Sequence, residues 1–217
     1  MEERIPKELI QPTIKTYPKG AYIYKAGESV LYIYFIVEGR IKIESISPLG
    51  KRISKSLLSK GEIFGEMALF GEVVRRDYAC TLDVTVIHIY TREEIQRLLK
   101  IDKQFQFLLL NKMASRVINI EQKLTSLVFK DSRTRVIEFL VQLGRKKGER
   151  IGFDILLRDF LPHQEIAYCT ATSRQTVTVV LNELKAQNLV HYHRKRLLIR
   201  DIDKLAEELS PFKNSVH

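Results

Sequence analysis

Between Tyr17 and Tyr90 the apolar positions fall into short runs at 22–24, 32–37, 41–46 and 84–89, punctuated by glycines at 20, 27, 39, 50, 61, 65 and 71. Runs of this length between turn residues predict β-strands, and many of them at regular spacing predict an antiparallel sandwich or barrel. Ser47-Pro48-Leu49-Gly50 has the chemistry of a hairpin turn within it. The pattern changes at Thr91. Thr91-Arg92-Glu93-Glu94 has the form of a capping box, so a short helix should run to about Lys100. Asp102 offers a second N-cap, and from there to Phe129 the chain has neither Pro nor Gly. Along it Leu110, Met113, Val117, Ile120, Leu124 and Leu127 recur at spacings of 3, 4, 3, 4 and 3, the heptad seam of a long helix with a parallel partner. With Leu110 at a and Met113 at d, Arg116 takes g and Glu121 takes e, positions that face each other across such a seam. The seam stops at Asp131. Asp131 or Ser132 can cap a further helix through Leu143, which leaves a hinge near Lys130. A basic turn at 144–148 then precedes a short strand at 151–157.

Residues 163–184 read as two short helices joined by a tight turn. Ile166, Ala167, Val177 and Val180 or Leu181 close a small core between them, and Ser173 caps the second helix. The outer face of that helix is polar, with Arg174, Gln175 and Thr178. Such a face can simply be solvated, but Arg pairs bidentately with guanine and Gln with adenine at the helix turn that enters a major groove. The segment at 191–196 is basic between apolar strands, and Arg194 and Lys195 at its tip would lie near phosphates. The formal charge of +10 suits a phosphate-rich partner, or solubility alone. It does not locate the surface, because residues 131–217 hold 15 Lys and Arg against 11 Asp and Glu, a net +4, and the first 130 carry the other +6.

The strings HQEIA, TSRQTV and LNELKAQNLV closely resemble the winged helix-turn-helix of the CRP/FNR superfamily. GEIFGEMALF at 61–70, with Arg75-Arg76 after it, resembles the cyclic-nucleotide-binding roll of the same superfamily. The resemblance implies that main-chain amides around Gly65 form a nest for a phosphate, that Glu66 accepts from a ribose hydroxyl and that Arg76 meets the phosphate. Arg116 matches a family ligand residue on the long helix, and Arg116 with Glu121 is also similar to the pair by which the nitrogen-control branch holds 2-oxoglutarate. Both residues equally suit the salt bridge across the seam. The chain departs from the family at Ala171, where a glycine is usual, and at Val179, where the cyclic-AMP receptors have a second base-reading Arg. Asp77 and Tyr78 replace a small hydroxyl residue and Ala, and Ile120 and Glu121 stand where hydroxyls read adenine.

Together these readings predict an α+β chain: an antiparallel β-roll sensor at 1–101, a dimerisation helix at 102–130 and a winged helix-turn-helix at 131–217. The expected function is that of a dimeric transcription regulator on a palindromic duplex site, controlled by a small anionic effector between roll and helix. RNA polymerase is a partner by resemblance. The departures leave open a regulator that binds DNA without any ligand, its cassette vestigial. A cupin-like enzyme would need clustered His and Glu ligands in the β-region, which holds only His88, so no enzyme is expected. Cys80 and Cys169 predict reduced thiols, and two cannot supply the roughly four thiolates of an iron–sulfur cluster. Haem would want an axial Cys or His where Gly65 and Glu66 stand, and His191 with His193 are too few for a metal. With no apolar run of bilayer length and an acidic opening segment, MEERIPKELI, the protein is expected in the cytoplasm, away from membranes.

Overall fold

The structure, a computed structural model, describes residues 11–209; the opening segment discussed above lies outside them. The chain divides into two compact units between Glu121 and Gln122. In the first, the described strands are β1 (Thr13–Tyr17), β2 (Tyr22–Tyr24), β3 (Tyr32–Glu38), β4 (Arg40–Ile46), β5 (Arg52–Ser59), β6 (Ile63–Phe64), β7 (Tyr78–Thr81) and β8 (Thr85–Thr91). They form two antiparallel sheets, in the orders β1-β8-β3-β6 and β2-β7-β4-β5. The turn at 47–50 closes β4 on β5, with Gly50 N–H donating to Ser47 O at 2.8 Å.

Side chains alternate across a strand, so an unbroken apolar run needs cover on both faces. The run at 32–37 has it. Tyr34 and Ile36 of β3 point into the core between the sheets with Tyr24, Ile41, Phe64, Ala79 and Ile87. Ile33 and Phe35 point the other way, into a second cluster with Tyr90, Ile95, Leu98, Phe105 and Leu109. That cluster is the seat of α1 (Arg92–Ile101) and of the start of α2 (Lys103–Phe129). α1 begins at the expected capping box: Thr91 Oγ1 accepts from Glu94 N–H at 3.2 Å, and Glu94 Oε2 accepts from Thr91 N–H at 2.7 Å. Asp102 caps α2 by accepting from Phe105 N–H at 2.9 Å. Beyond Leu109 the expected seam has no cover: Leu110, Val117, Ile120 and Leu124 are each more than half exposed, and Met113 and Leu127 are half-buried. Among the described residues no helix is long and apolar enough to cross a membrane.

The second unit contains α3 (Ser132–Lys147), β9 (Glu149–Ile151), β10 (Asp154–Leu157), α4 (His163–Thr170), α5 (Arg174–Ala186), β11 (Val190–His193), β12 (Arg196–Ile199) and α6 (Ile202–Glu207). Asp131 starts α3 by accepting from Thr134 N–H at 2.7 Å, a bond that holds its carboxyl below the usual range. Where the sequence predicts one strand at 151–157, the structure has a β9–β10 hairpin that turns at Gly152, φ 62°. β9 is an exposed edge, so it carries no apolar alternation by which to be read. The strands form an antiparallel sheet of order β11-β12-β10-β9, and the core expected between α4 and α5, Ile166, Ala167, Val177, Val180 and Leu181, is buried.

Candidate functional site

The helix-turn-helix is built around a strained turn. α4 ends at Ala171, which adopts the left-handed conformation, φ 49° and ψ 50°, at a cost of about 1 kcal/mol for an L-residue. Arg135 of α3 holds this turn from below, donating to Thr170 O at 2.9 Å and Ala171 O at 3.1 Å. Ser173 then caps α5, its hydroxyl accepting from Thr176 N–H at 3.0 Å. Arg174 and Gln175 follow at the exposed first turn, free to reach a groove.

Thr178 is differently placed. Its hydroxyl donates to Arg174 O at 3.0 Å, and its Oγ1 lies 2.9 Å from His163 Nδ1. With the hydroxyl proton directed to Arg174 O, Thr178 Oγ1 is left to accept, which suits the His163 tautomer protonated at Nδ1. Partial burial, and then the Arg174 charge, push the His163 pKa below its ordinary value. The ring also packs edge-on to Tyr192 of β11 at 5.6 Å, and Tyr192 donates to Asn182 Oδ1 at 2.7 Å. His163 thus ties α4, the second helix and the wing together, a role that no spacing in the sequence announces.

At the wing, Arg194 (φ 51°) and Lys195 form the tip. Phe160 N–H donates to Lys195 O at 2.7 Å, which sets Arg158 and Asp159 beside the hairpin. Arg158, Asp159, His193, Arg194, Lys195 and Arg196 line an open groove of about 690 Å3. Four fixed cations against one carboxylate make it attractive to a phosphate. Arg158 lies too far along the chain from the wing to be associated with it by sequence, and it also pairs with Glu149 at 2.7 Å, which raises its own pKa and lowers that of Glu149.

In the roll, Gly65 has φ 76°, and a Cβ there would meet Tyr34 Cδ2 at 2.9 Å and Tyr32 O at 3.1 Å. Only glycine fits. It opens a 3-10 helix at Glu66–Phe70 and leaves Glu66 buried. Arg116 donates to Glu66 Oε1 and to Ile63 O, both within this unit. In the single chain, therefore, Arg116 is held by Glu66, and Glu121 is exposed to solvent.

The arginine turned inward is Arg75, only 3% exposed, whereas the Arg76 side chain is 85% exposed and 3.6 Å from Glu72. The phase is set by pairing: Arg75 N–H donates to Glu28 O, Gly27 N–H donates to Arg75 O, and Ser29 bridges Val74. Alternation then sends Arg76 outward. Arg75 donates to Gly65 O at 3.2 Å and Tyr32 O at 2.6 Å, and its guanidinium lies 4.3 Å from the Tyr24 ring centre. Tyr24 is hydrogen-bonded to Asp77, and burial first, then the Asp77 charge, raise its pKa. Asp77 itself pairs with Lys55 at 3.4 Å. Two buried atoms here, Glu66 Oε2 and Arg75 Nε, have no hydrogen-bond partner among the described residues.

Cys80 is buried and Cys169 half-buried, and neither takes part in a disulfide. Among the described residues no three His, Cys, Asp or Glu side chains gather as a metal site would require.

Comparison with known proteins matches both halves of the chain. The family model for the cyclic nucleotide-binding domain matches residues 14–102, and that for the Crp-like helix-turn-helix domain matches residues 134–208. The Global nitrogen regulator of Synechocystis is 25% identical over 95% of this chain and 93% of its own. The cAMP-activated global transcriptional regulator CRP of Haemophilus influenzae is 27% identical over 84% of this chain and 82% of its own. Among solved structures, a CooA variant from Carboxydothermus hydrogenoformans superposes with a TM-score of 0.83 at 25% identity, covering 95% of this chain and 92% of that one. FixK2 from Bradyrhizobium japonicum shares the fold, with a TM-score of 0.80 at 20% identity over 91% of this chain and 97% of that one. With a cyclic-nucleotide-binding roll, a long helix and a DNA-binding Crp-like helix-turn-helix in that order, the chain belongs to the CRP/FNR family of transcription regulators.

Proposed function

We propose that this regulator works as a cytoplasmic homodimer, not as an enzyme, reading a palindromic DNA site under the control of a small effector bound in the roll. Residues 1–101 sense, 102–130 dimerise and 131–217 bind DNA. The observation that carries the effector reading is the pair of unpartnered buried atoms beside Gly65, Glu66 Oε2 and Arg75 Nε. An unsatisfied buried polar group costs about 1–3 kcal/mol, which a ligand with a donor for the carboxylate and an acceptor for the guanidinium would recover. Arg75, Arg116 and Lys55 against Glu66 and Asp77 leave a net +1, suited to a small anion. The bare heptad stripe of α2 supports the dimer, since burying it against a second copy removes four exposed aliphatic side chains per protomer from water. In such a dimer the recognition helices enter successive major grooves about 34 Å apart. Ser173, Arg174, Gln175 and Thr178 would meet the DNA there, with Arg194 and Lys195 on phosphates. RNA polymerase is the proposed downstream partner. The effector need only bind the DNA-competent state better than the other.

A ligand-independent regulator is favoured by a different observation: Arg76 faces outward to Glu72, and Arg75 is already engaged by two main-chain carbonyls. Calorimetric titration of the purified protein with cyclic AMP, cyclic GMP and 2-oxoglutarate separates the two. Binding that is lost in Glu66→Gln and Arg75→Gln supports the effector site. Operator affinity unchanged by all three compounds, with no heat of binding, supports the ligand-independent reading.

A further inference from the structure

The buried stripe of α5, formed by Val177, Val180, Leu181 and Leu184, fixes which line of the helix points away from the core. At 100° per residue that line is Gln175, Val179 and Asn182, with Thr178 flanking it and Arg174 exposed at the first turn. Val179 is 55% exposed, whereas the other branched apolar residues of this helix are almost wholly buried. A lone exposed valine elsewhere on a surface would need no explanation. Here it stands one turn beyond Gln175, on the face that the DNA-reading assignment turns toward the bases. Beyond the first turn the polar side chains are partly engaged within the protein, the Thr178 hydroxyl donating to Arg174 O and Asn182 Oδ1 accepting from Tyr192. The apolar feature of the major groove is the thymine C5-methyl, against which aliphatic side chains pack.

We infer that Val179 is a specificity-determining residue that selects one thymine in each half-site by packing on its C5-methyl. The inference rests on the DNA-reading assignment of α5. Loss of one buried methyl weakens binding about fourfold per half-site.

The test starts from an operator selected from random duplexes with the full-length protein, with and without cyclic AMP. Each thymine is then replaced by uracil, which deletes the methyl and leaves every hydrogen-bonding group in place, and affinity is read by fluorescence anisotropy. The expected result is one thymine per half-site whose replacement weakens the wild-type protein about fourfold, with Val179→Ala insensitive to that same change. Val179 is exposed, so the alanine variant keeps the fold, and the uracil scan of the wild-type protein is decisive without it. Uracil tolerated at every position, or a penalty of equal size in Val179→Ala, would overturn the inference while leaving DNA binding intact. Failure to select any operator would overturn the DNA-reading assignment and the inference with it.

Discussion

Replacing Ala171 by glycine should stabilise the DNA-binding unit. At φ 49° and ψ 50° the Cβ of an L-residue crowds the following carbonyl, a strain of about 1–2 kcal/mol. Glycine removes the strain but widens the freedom of the unfolded chain, giving back about 0.4–1 kcal/mol. The difference is a gain of about 0.5–1 kcal/mol. The hydrogen bonds that hold the turn all end on main-chain atoms and do not involve the methyl group: Ala171 and Thr172 N–H both donate to Ala167 O, and the Arg135 side chain donates to Thr170 O and Ala171 O. In a urea titration with a slope of about 1–3 kcal/mol/M, the midpoint of this unit should rise by roughly 0.2–1 M. Ala171→Val, which puts a β-branched residue into the same conformation, should lower it. Operator affinity should not change in the glycine variant, since Ser173 still caps α5. A midpoint that stays put or falls on Ala171→Gly would refute the claim that the turn is strained.

Arg116→Ala leaves the Glu66 carboxylate buried without its partner, and should destabilise the first unit by roughly 3 kcal/mol, toward the low end for a broken buried pair because Arg116 is a quarter exposed. Adding Glu66→Gln should restore much of the loss in a denaturant titration; no restoration would mean that the pair is not what holds the helix to the roll. Leu124→Glu should leave the melting of the single chain unaltered, as Leu124 is exposed there, while sedimentation equilibrium reports monomer in place of dimer. A dimer that persists would place the interface elsewhere. For His163 the folded pKa lies below 6.5, so between the two values the unfolded chain binds more protons. Its contribution is therefore fully present above about pH 6.5 and is lost as pH falls through the folded pKa. Unfolding midpoints at successive pH values should show this acid-side loss, and His163→Gln should remove it; identical profiles for the two proteins would count against the burial of the imidazole beside Arg174.

The features legible in the sequence are those decided by residues three or four apart. The Thr91–Glu94 capping box, the Asp102 and Ser173 caps and the apolar core between α4 and α5 formed as read, and the apolar stripe of α2 lies along a single helix, as its spacing predicts. For the caps the hydrogen-bonding partner lies within about one helical turn, and on the helices the apolar positions repeat at that spacing, so local spacing carries the information. The edge strand β9 escaped because a strand with no buried face leaves no alternation to detect. Tertiary structure alone decided that Arg75 and not Arg76 enters the roll, since the choice depends on pairing with residues 27–29 almost fifty positions earlier. It alone gave Arg116 to Glu66, brought Arg158 beside the wing and tied up the Thr178 hydroxyl. Side chains separated by tens of residues meet only when sheets and helices pack, and a one-residue change of phase in a strand reverses which of two neighbouring arginines is inside.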